Sequence, residues 1–337
     1  MSQRYANSRP SGFQNHLKNI ALVGAGGSVG SHILTSLLSA GKHNITILTR
    51  PESTNTFPPN LTVKQIDYTS PSSLASALQG QQCLIITLSF STPPEHESAL
   101  IAAAASAGVQ YIIPNEWGQD FQHPGIAKDI LFLGPKLEVT RKLVEKLGMK
   151  WLVVSSGFWY EYSLAGTEWR YGFDFKEKTV TMYGDGDVRI NTSTWPQIGR
   201  AVAALLSLKL LPEDKEDKSE GVLSKFANRN CYISSFLVSQ KDMWASARRV
   251  TGTKEGDWTV THEGVEERFK RGIDMFQKGE FKGFMMLMYA RSFFADGAGN
   301  YETSKGLSND LLGLPKEDFD ECTKGAVERA EKMAGTY

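Results

Sequence analysis

The segment Gly24-Ala25-Gly26-Gly27-Ser28-Val29-Gly30 constrains this chain more than any other stretch. It follows an apolar run at 19–23 and leads into an amphipathic stretch that continues to Ala40 and stops at Gly41. That order predicts a buried strand, a tight turn and a helix with a glycine end. Glycines in such a turn permit the reversal, let the backbone approach a pyrophosphate closely, and let the helix pack against the strand. The free N–H groups and positive dipole of the helix start then favour phosphate. The loop therefore predicts a dinucleotide held at Gly24, Gly26, Gly27, Ser28, Val29 and Gly30.

Further along, apolar runs alternate with helical patterns. Strands are predicted at 44–49, 61–66, 83–88, 111–114 and 151–155, with helices at 71–80, 95–107 and 135–147 between them. Ser70 and Pro71 carry the cap and first-turn signals of one of these helices. Continuous rather than alternating apolar strands imply helices on both faces, hence an α/β fold of the Rossmann type with a doubly wound parallel sheet. The expected division is a flexible arm at 1–17, a dinucleotide-binding domain at 18–156, and a smaller, mostly helical substrate-binding region at 157–337. A helix at 197–208 and a strand at 231–236 suggest a return to the sheet within 191–236.

An acidic residue that grips a ribose falls about 20 residues past such a glycine loop. Here that place is held by Arg50, whose planar fork suits a 2′-phosphate. The expected cofactor is therefore NADPH. Its adenine is expected near Asp67-Tyr68, and its ribose and nicotinamide are expected to pass Thr87, Ser89 and Phe90 toward Pro114 and Asn115.

Basic and acidic side chains number 37 each among 337 residues, so nothing in the charge favours nucleic acid or an anionic membrane. No apolar run reaches the ~18 residues of a membrane span. Three scattered cysteines and six scattered histidines give neither a disulfide framework nor a metal-ligand spacing. A cytoplasmic protein acting on a small molecule is expected, and monomer or homodimer both remain open.

With the glycine loop, Thr49-Arg50, the segment IIPNEWGQD at 112–120 and PKLEVTRKLVEKLG at 135–148, the chain resembles the isoflavone-reductase-like and NmrA-like branch of the atypical short-chain dehydrogenases. The resemblance spans about 18–200. It implies that Pro114-Asn115-Glu116-Trp117-Gly118 is a variant of the family's P-S-E-F-G segment beside the nicotinamide. It also implies that Lys136 is the general acid/base, in the first turn of a helix at the carboxyl edge of the sheet. Partial desolvation there would make proton exchange feasible near neutral pH. The chain departs from common short-chain dehydrogenases in carrying Phe132 four residues before Lys136, where their tyrosine stands. It departs from leucoanthocyanidin-type relatives in carrying Gln119 for a histidine. The aromatic segment 158–175 is expected to supply the substrate pocket through Phe158, Tyr160 and Tyr162, suited to a flat aromatic or phenolic molecule. The reading is an NADPH-dependent reductase of a conjugated aromatic or phenolic compound. A dinucleotide-sensing regulator without catalysis, or a non-redox cyclase or isomerase, stands as the alternative.

Overall fold

The computed structural model describes residues 5–130 and 133–333. The first strand, β1 (Asn19–Val23), lies at the centre of an all-parallel sheet and pairs on one side with β2 (Asn44–Thr49), which pairs with β3 (Thr62–Gln65). On its other side come β4 (Cys83–Ile86), β5 (Tyr111–Ile113), a two-residue β6 (Trp117–Gly118) and β7 (Lys150–Ser155). The chain crosses between strands through α1 (Ser28–Ala40), α2 (Pro71–Leu78), α3 (Pro94–Ser106), α4 (Pro124–Asp129) and α5 (Gly134–Lys146). The strand order reverses between β1 and β4, which opens a crevice at the carboxyl ends of the strands.

Alternation along β1 explains why both faces are covered. Ile20 and Leu22 pack with Val29, Ile33 and Leu37 of α1, whereas Ala21 and Val23 pack with Leu74 and Leu78 of α2 and Leu100 and Ile101 of α3. The ends of the helices follow their sequence signals. Ser70 accepts from the Ser73 N–H at the start of α2, and Gly41 closes α1 at φ 63°.

Beyond β7 the chain forms β8 (Phe158–Trp159), α6 (Tyr160–Leu164), β9 (Phe173–Asp174), β10 (Thr179–Tyr183), β11 (Ile190–Ser193) and α7 (Trp195–Leu206). Helix α7 returns to the first layer, packing with α1 where Gly199 leaves no side chain against the His32 carbonyl. The expected strand at 231–236 is two strands. β12 (Arg229–Tyr232) extends the main sheet beside β7, and β13 (Phe236–Val238) leaves it to pair with β11. Between them Ser234 N donates to Asn309 Oδ1 and Ser235 N to the Thr192 carbonyl, so backbone groups that would have continued β12 are taken elsewhere.

The last third is helical as expected, through α8 (Gln240–Thr251), α9 (Val265–Gln277), α10 (Phe281–Ser292), α11 (Tyr301–Lys305) and α12 (Phe319–Met333). One exception is β14 (Thr259–Glu263), which lies between α8 and α9 and pairs in parallel with β10; its threonine and valine content suits a strand. The arm expected to be flexible is docked over its described part. Ala6 N donates to the Pro212 carbonyl, the Asn15 side chain bridges Leu211 and Glu213, and Leu17 is buried in the core. Phe132 lies outside the described residues.

Candidate functional site

Two hollows meet at the carboxyl edge of the sheet and share Gly27, Thr87, Leu88 and Ser89. The first, a groove of about 450 Å³, runs from the glycine loop to the end of β2. Gly24 takes φ 82°, and a Cβ there would overlap the Thr87 carbonyl; a Cβ on Gly30 would overlap the carbonyl of Gly24. Those two glycines let α1 start directly against the ends of β1 and β4. Gly27 caps α1 with no side-chain bond, which leaves the first-turn N–H groups for an external acceptor. The loop thus fits the pyrophosphate of a dinucleotide. Thr87 Oγ1 donates to the Val23 carbonyl (2.8 Å) and locks the adjoining strand ends together.

Arg50 lies exposed on the wall at the far end of this groove. Beside it Tyr68 and His96 stack with ring centres 4.3 Å apart, and Ser53, Asn55 and Phe57 complete the wall. His96, Ser53 and Asn55 are additions that sequence reasoning missed, since they come from the β2–β3 loop and α3 and carry no local motif. Asp67 is not on this wall. Its Oδ1 accepts the N–H and hydroxyl of Thr69, which hold the carboxyl below its ordinary value, and the neighbouring Tyr68 faces the groove instead. An Asx turn before α2 is the simpler use of that aspartate.

The second hollow, about 560 Å³, is mostly apolar. Ser28, Val29, Gly30, Thr87 and Ser89 form the side nearest the glycine loop, and Phe121, Leu133, Leu137, Phe158, Trp159, Tyr162, Phe284 and Met288 line the rest. Phe90, on the loop after β4, stacks on Phe284 of α10 with ring centres 4.8 Å apart and so reaches across the mouth. Asn115 exchanges two hydrogen bonds with the backbone of Leu88, each 3.0 Å, and its own N–H donates to Glu97 Oε1. The side chain therefore ties the ends of β4 and β5 together at the junction of the two hollows. Pro114 is buried and lies off the cavity wall, where Asn115 takes the expected place.

Phe158 and Tyr162 are on the wall, and Tyr160 is not. Tyr160 is fully buried with its hydroxyl on Thr323 Oγ1 (2.7 Å). The three were expected in the pocket together, but the chain becomes helical at residue 160. Two residues along a helix turn through roughly 200°, so Tyr160 and Tyr162 look opposite ways.

Lys136 is also displaced from its expected surroundings. Leu133, which precedes α5, and Leu137, one turn on, take the cavity-facing side, and Lys136 is left exposed and off the wall, without the partial burial its role anticipated. Its charge acts on Glu97, whose carboxyl burial pushes up, with the Asn115 N–H and Lys136 opposing that rise. Deeper, Glu116 is raised to about 7 by burial, against the pull of Arg141, whose Nη1 lies 2.7 Å from both carboxylate oxygens. That ion pair fastens α5 to the β5–β6 segment. Gln119 is buried on the wall and donates to the Met288 carbonyl. His123 caps α4, accepting from the Gly125 N–H. Phe284 and Met288 lie in the Met- and Phe-rich stretch 284–289, whose composition fits a pocket wall and a buried helix equally and so assigns no site residue, and the structure puts these two on the wall.

Residues 16–168 match the model of the NmrA-like family. The oxidoreductase aprR of Aspergillus flavus is 29% identical over 309 residues, covering 90% of this chain and 96% of that protein. Among solved structures, pinoresinol-lariciresinol and phenylcoumaran benzylic ether reductases superpose with a TM-score of 0.70 at 18% identity, over 93% of this chain and 99% of theirs. The NADPH-dependent quinone oxidoreductase QOR2 of Escherichia coli, in complex with NADPH, gives 0.62 at 19% identity, over 94% and 99%. The Rossmann-type fold is shared throughout. Among the described residues no helix is long and apolar enough to cross a membrane, and no group of three or more His, Cys, Asp or Glu side chains could hold a metal ion.

Proposed function

Starting from a Rossmann-type chain whose residues 16–168 are of the NmrA-like type, we propose that this protein is an NADPH-dependent reductase of a conjugated aromatic or phenolic small molecule. The observation that carries the reading is the continuity of the two hollows. A groove built for a dinucleotide opens, through Thr87, Leu88 and Ser89, into a cavity walled by aromatic and aliphatic side chains. NADPH, when bound, supplies a hydride at that junction. The α1 N-terminus and Gly24 to Gly30 would hold the pyrophosphate, and Arg50 the 2′-phosphate through paired charge-assisted bonds. Tyr68 and His96 would flank the adenine. Phe158, Trp159 and Phe284 orient a flat substrate by stacking and exclude water from it. Lys136, exposed on α5, is close enough to Glu97 for its charge to oppose the rise of that carboxyl.

The named relatives support an oxidoreductase: aprR carries that description, and QOR2 was crystallised with NADPH. Calorimetric titration with NADPH, NADP+, NADH and NAD+ side by side tests the reading. Tighter binding of the phosphorylated pair is expected, followed by NADPH consumption when quinones and phenolic enones are supplied. Preference for NAD+, or no binding, would overturn it and favour a non-redox role on the same scaffold.

A further inference from the structure

Among the described residues four arginines are buried, and three of them have carboxylate partners. Arg141 pairs with Glu116, Arg268 with Glu263, and Arg291 with Asp129 and Asp296. Arg170, only 3% exposed, pairs with no carboxylate among the described residues. Burying a guanidinium without a counter-charge is costly, so a fold that keeps one there has a use for the charge. Arg170 is held firmly. Its Nη1 donates to the Tyr162 carbonyl (2.6 Å), the Tyr183 hydroxyl donates to its own carbonyl, and Gly166 is bare where any Cβ would strike its side chain. These contacts set the guanidinium carbon 3.5 Å from the centre of the Tyr162 ring. A second guanidinium, Arg329 on α12, lies 5.8 Å from the same ring.

Tyr162 is on the cavity wall, and among the described residues there its phenol and the Glu116 carboxyl are the only ionisable side chains; Glu116 is committed to Arg141. The Tyr162 hydroxyl makes no hydrogen bond among the described residues, whereas Thr87 Oγ1 on the same wall is spent on Val23 and Lys136 is off the wall. A cation against an aromatic face is attracted to the ring, and more strongly once the phenol has lost its proton.

We propose that Tyr162 is the acid that protonates the reduced substrate, and that Arg170 is the positioning residue that holds its ring and stabilises its conjugate base. The inference rests on the reductase reading above. In the step, a hydride from NADPH adds to the electrophilic centre and an electron pair moves onto a substrate oxygen. The Tyr162 O–H bond breaks and an O–H bond forms on that oxygen. The electron pair left on the phenolate is held by Arg170 until a proton returns from water. One NADPH and one proton are consumed for each substrate reduced.

The test uses the full chain with NADPH and menadione, a flat quinone, comparing wild type, Tyr162→Phe, Arg170→Met, Arg170→Lys and Lys136→Met. Tyr162→Phe is expected to lower kcat about 100-fold or more, the size of a lost general acid, with KM and NADPH affinity changed less than about threefold. Arg170→Met should lower kcat roughly tenfold or more at similar KM, and Arg170→Lys should recover part of that loss, which a purely structural role would not produce. Tyr162→Phe with kcat within threefold of wild type overturns the assignment, as does Arg170→Met with unchanged kcat. Loss of turnover in Lys136→Met alone would return the proton to the lysine. A wild type that binds NADPH but consumes none with menadione removes both the reductase reading in this form and the assignment built on it, whereas active wild type with active Tyr162→Phe removes only the latter. Should Tyr162→Phe lose NADPH binding, the Arg170→Met and Arg170→Lys pair decides.

Discussion

Glu161 sits in the first turn of α6, next to Tyr162, and accepts the Trp195 N–H at Oε2 (3.3 Å). Burial pushes its carboxyl from the ordinary 4.5 to about 7; the Trp195 N–H and Arg329 pull it down, and the neighbouring Glu317 adds to the rise. Among the described residues it has no ion-pair partner. A carboxyl raised in this way favours the fold while it is protonated. Its contribution is complete below about pH 4.5 and is lost as pH climbs through 7. A rise from 4.5 to about 7 corresponds to roughly 3 kcal/mol at 1.36 kcal/mol per pH unit, and residual contact with water trims this to about 1–3 kcal/mol. Glu161→Gln keeps an acceptor for the Trp195 N–H and removes the ionisation. Urea unfolding of both proteins from pH 5 to 8.5 checks the argument, because every other titrating group cancels in the difference. At pH 5 only about a quarter of the loss has occurred, so the gap should be small there and should widen until the variant leads by about 1–3 kcal/mol at pH 8.5. A gap that does not vary with pH, or a wild type that leads at pH 8.5, would show that Glu161 is adequately solvated or paired and refute the reasoning.

Two further outcomes test the groove. Arg50→Ala should weaken NADPH about 10- to 100-fold by calorimetry while leaving NADH within about threefold, since only the former offers the 2′-phosphate; equal weakening would take Arg50 out of that role. Gly30→Ala brings a Cβ onto the Gly24 carbonyl, so the α1 start must shift away from the strand ends. It should abolish measurable dinucleotide binding and lower the unfolding midpoint, and wild-type affinity in that variant would refute the close-approach argument for this glycine.

Local signals carried the first layer of the protein. Strand, glycine loop and helix at 19–40 are specified by nearest neighbours: an apolar run, residues that tolerate φ 82°, and a glycine stop. The parallel sheet followed because runs such as Cys83–Ile86 are apolar on every residue and must be covered on both faces. The aromatic segment was harder to read for the same reason the sheet was easy. Phe158, Tyr160 and Tyr162 look alike in sequence, and only the switch from strand to helix at 160 sends one of them into the core and leaves the others at the cavity.

The sequence by itself determined the fold class, the glycine loop, and the place of Arg50 at the end of β2, because each depends on residues within about 20 positions of one another. Tertiary structure alone decided the exposure of Lys136, the pairing of Tyr68 with His96, the closing of the cavity by Phe284 and Met288 from α10, and the placing of Arg170 against Tyr162 without a carboxylate. Those features bring together segments far apart in the chain, or depend on which side of a helix meets its neighbours. Burial and pairing of that kind are properties of the packed molecule, and no local pattern encodes them.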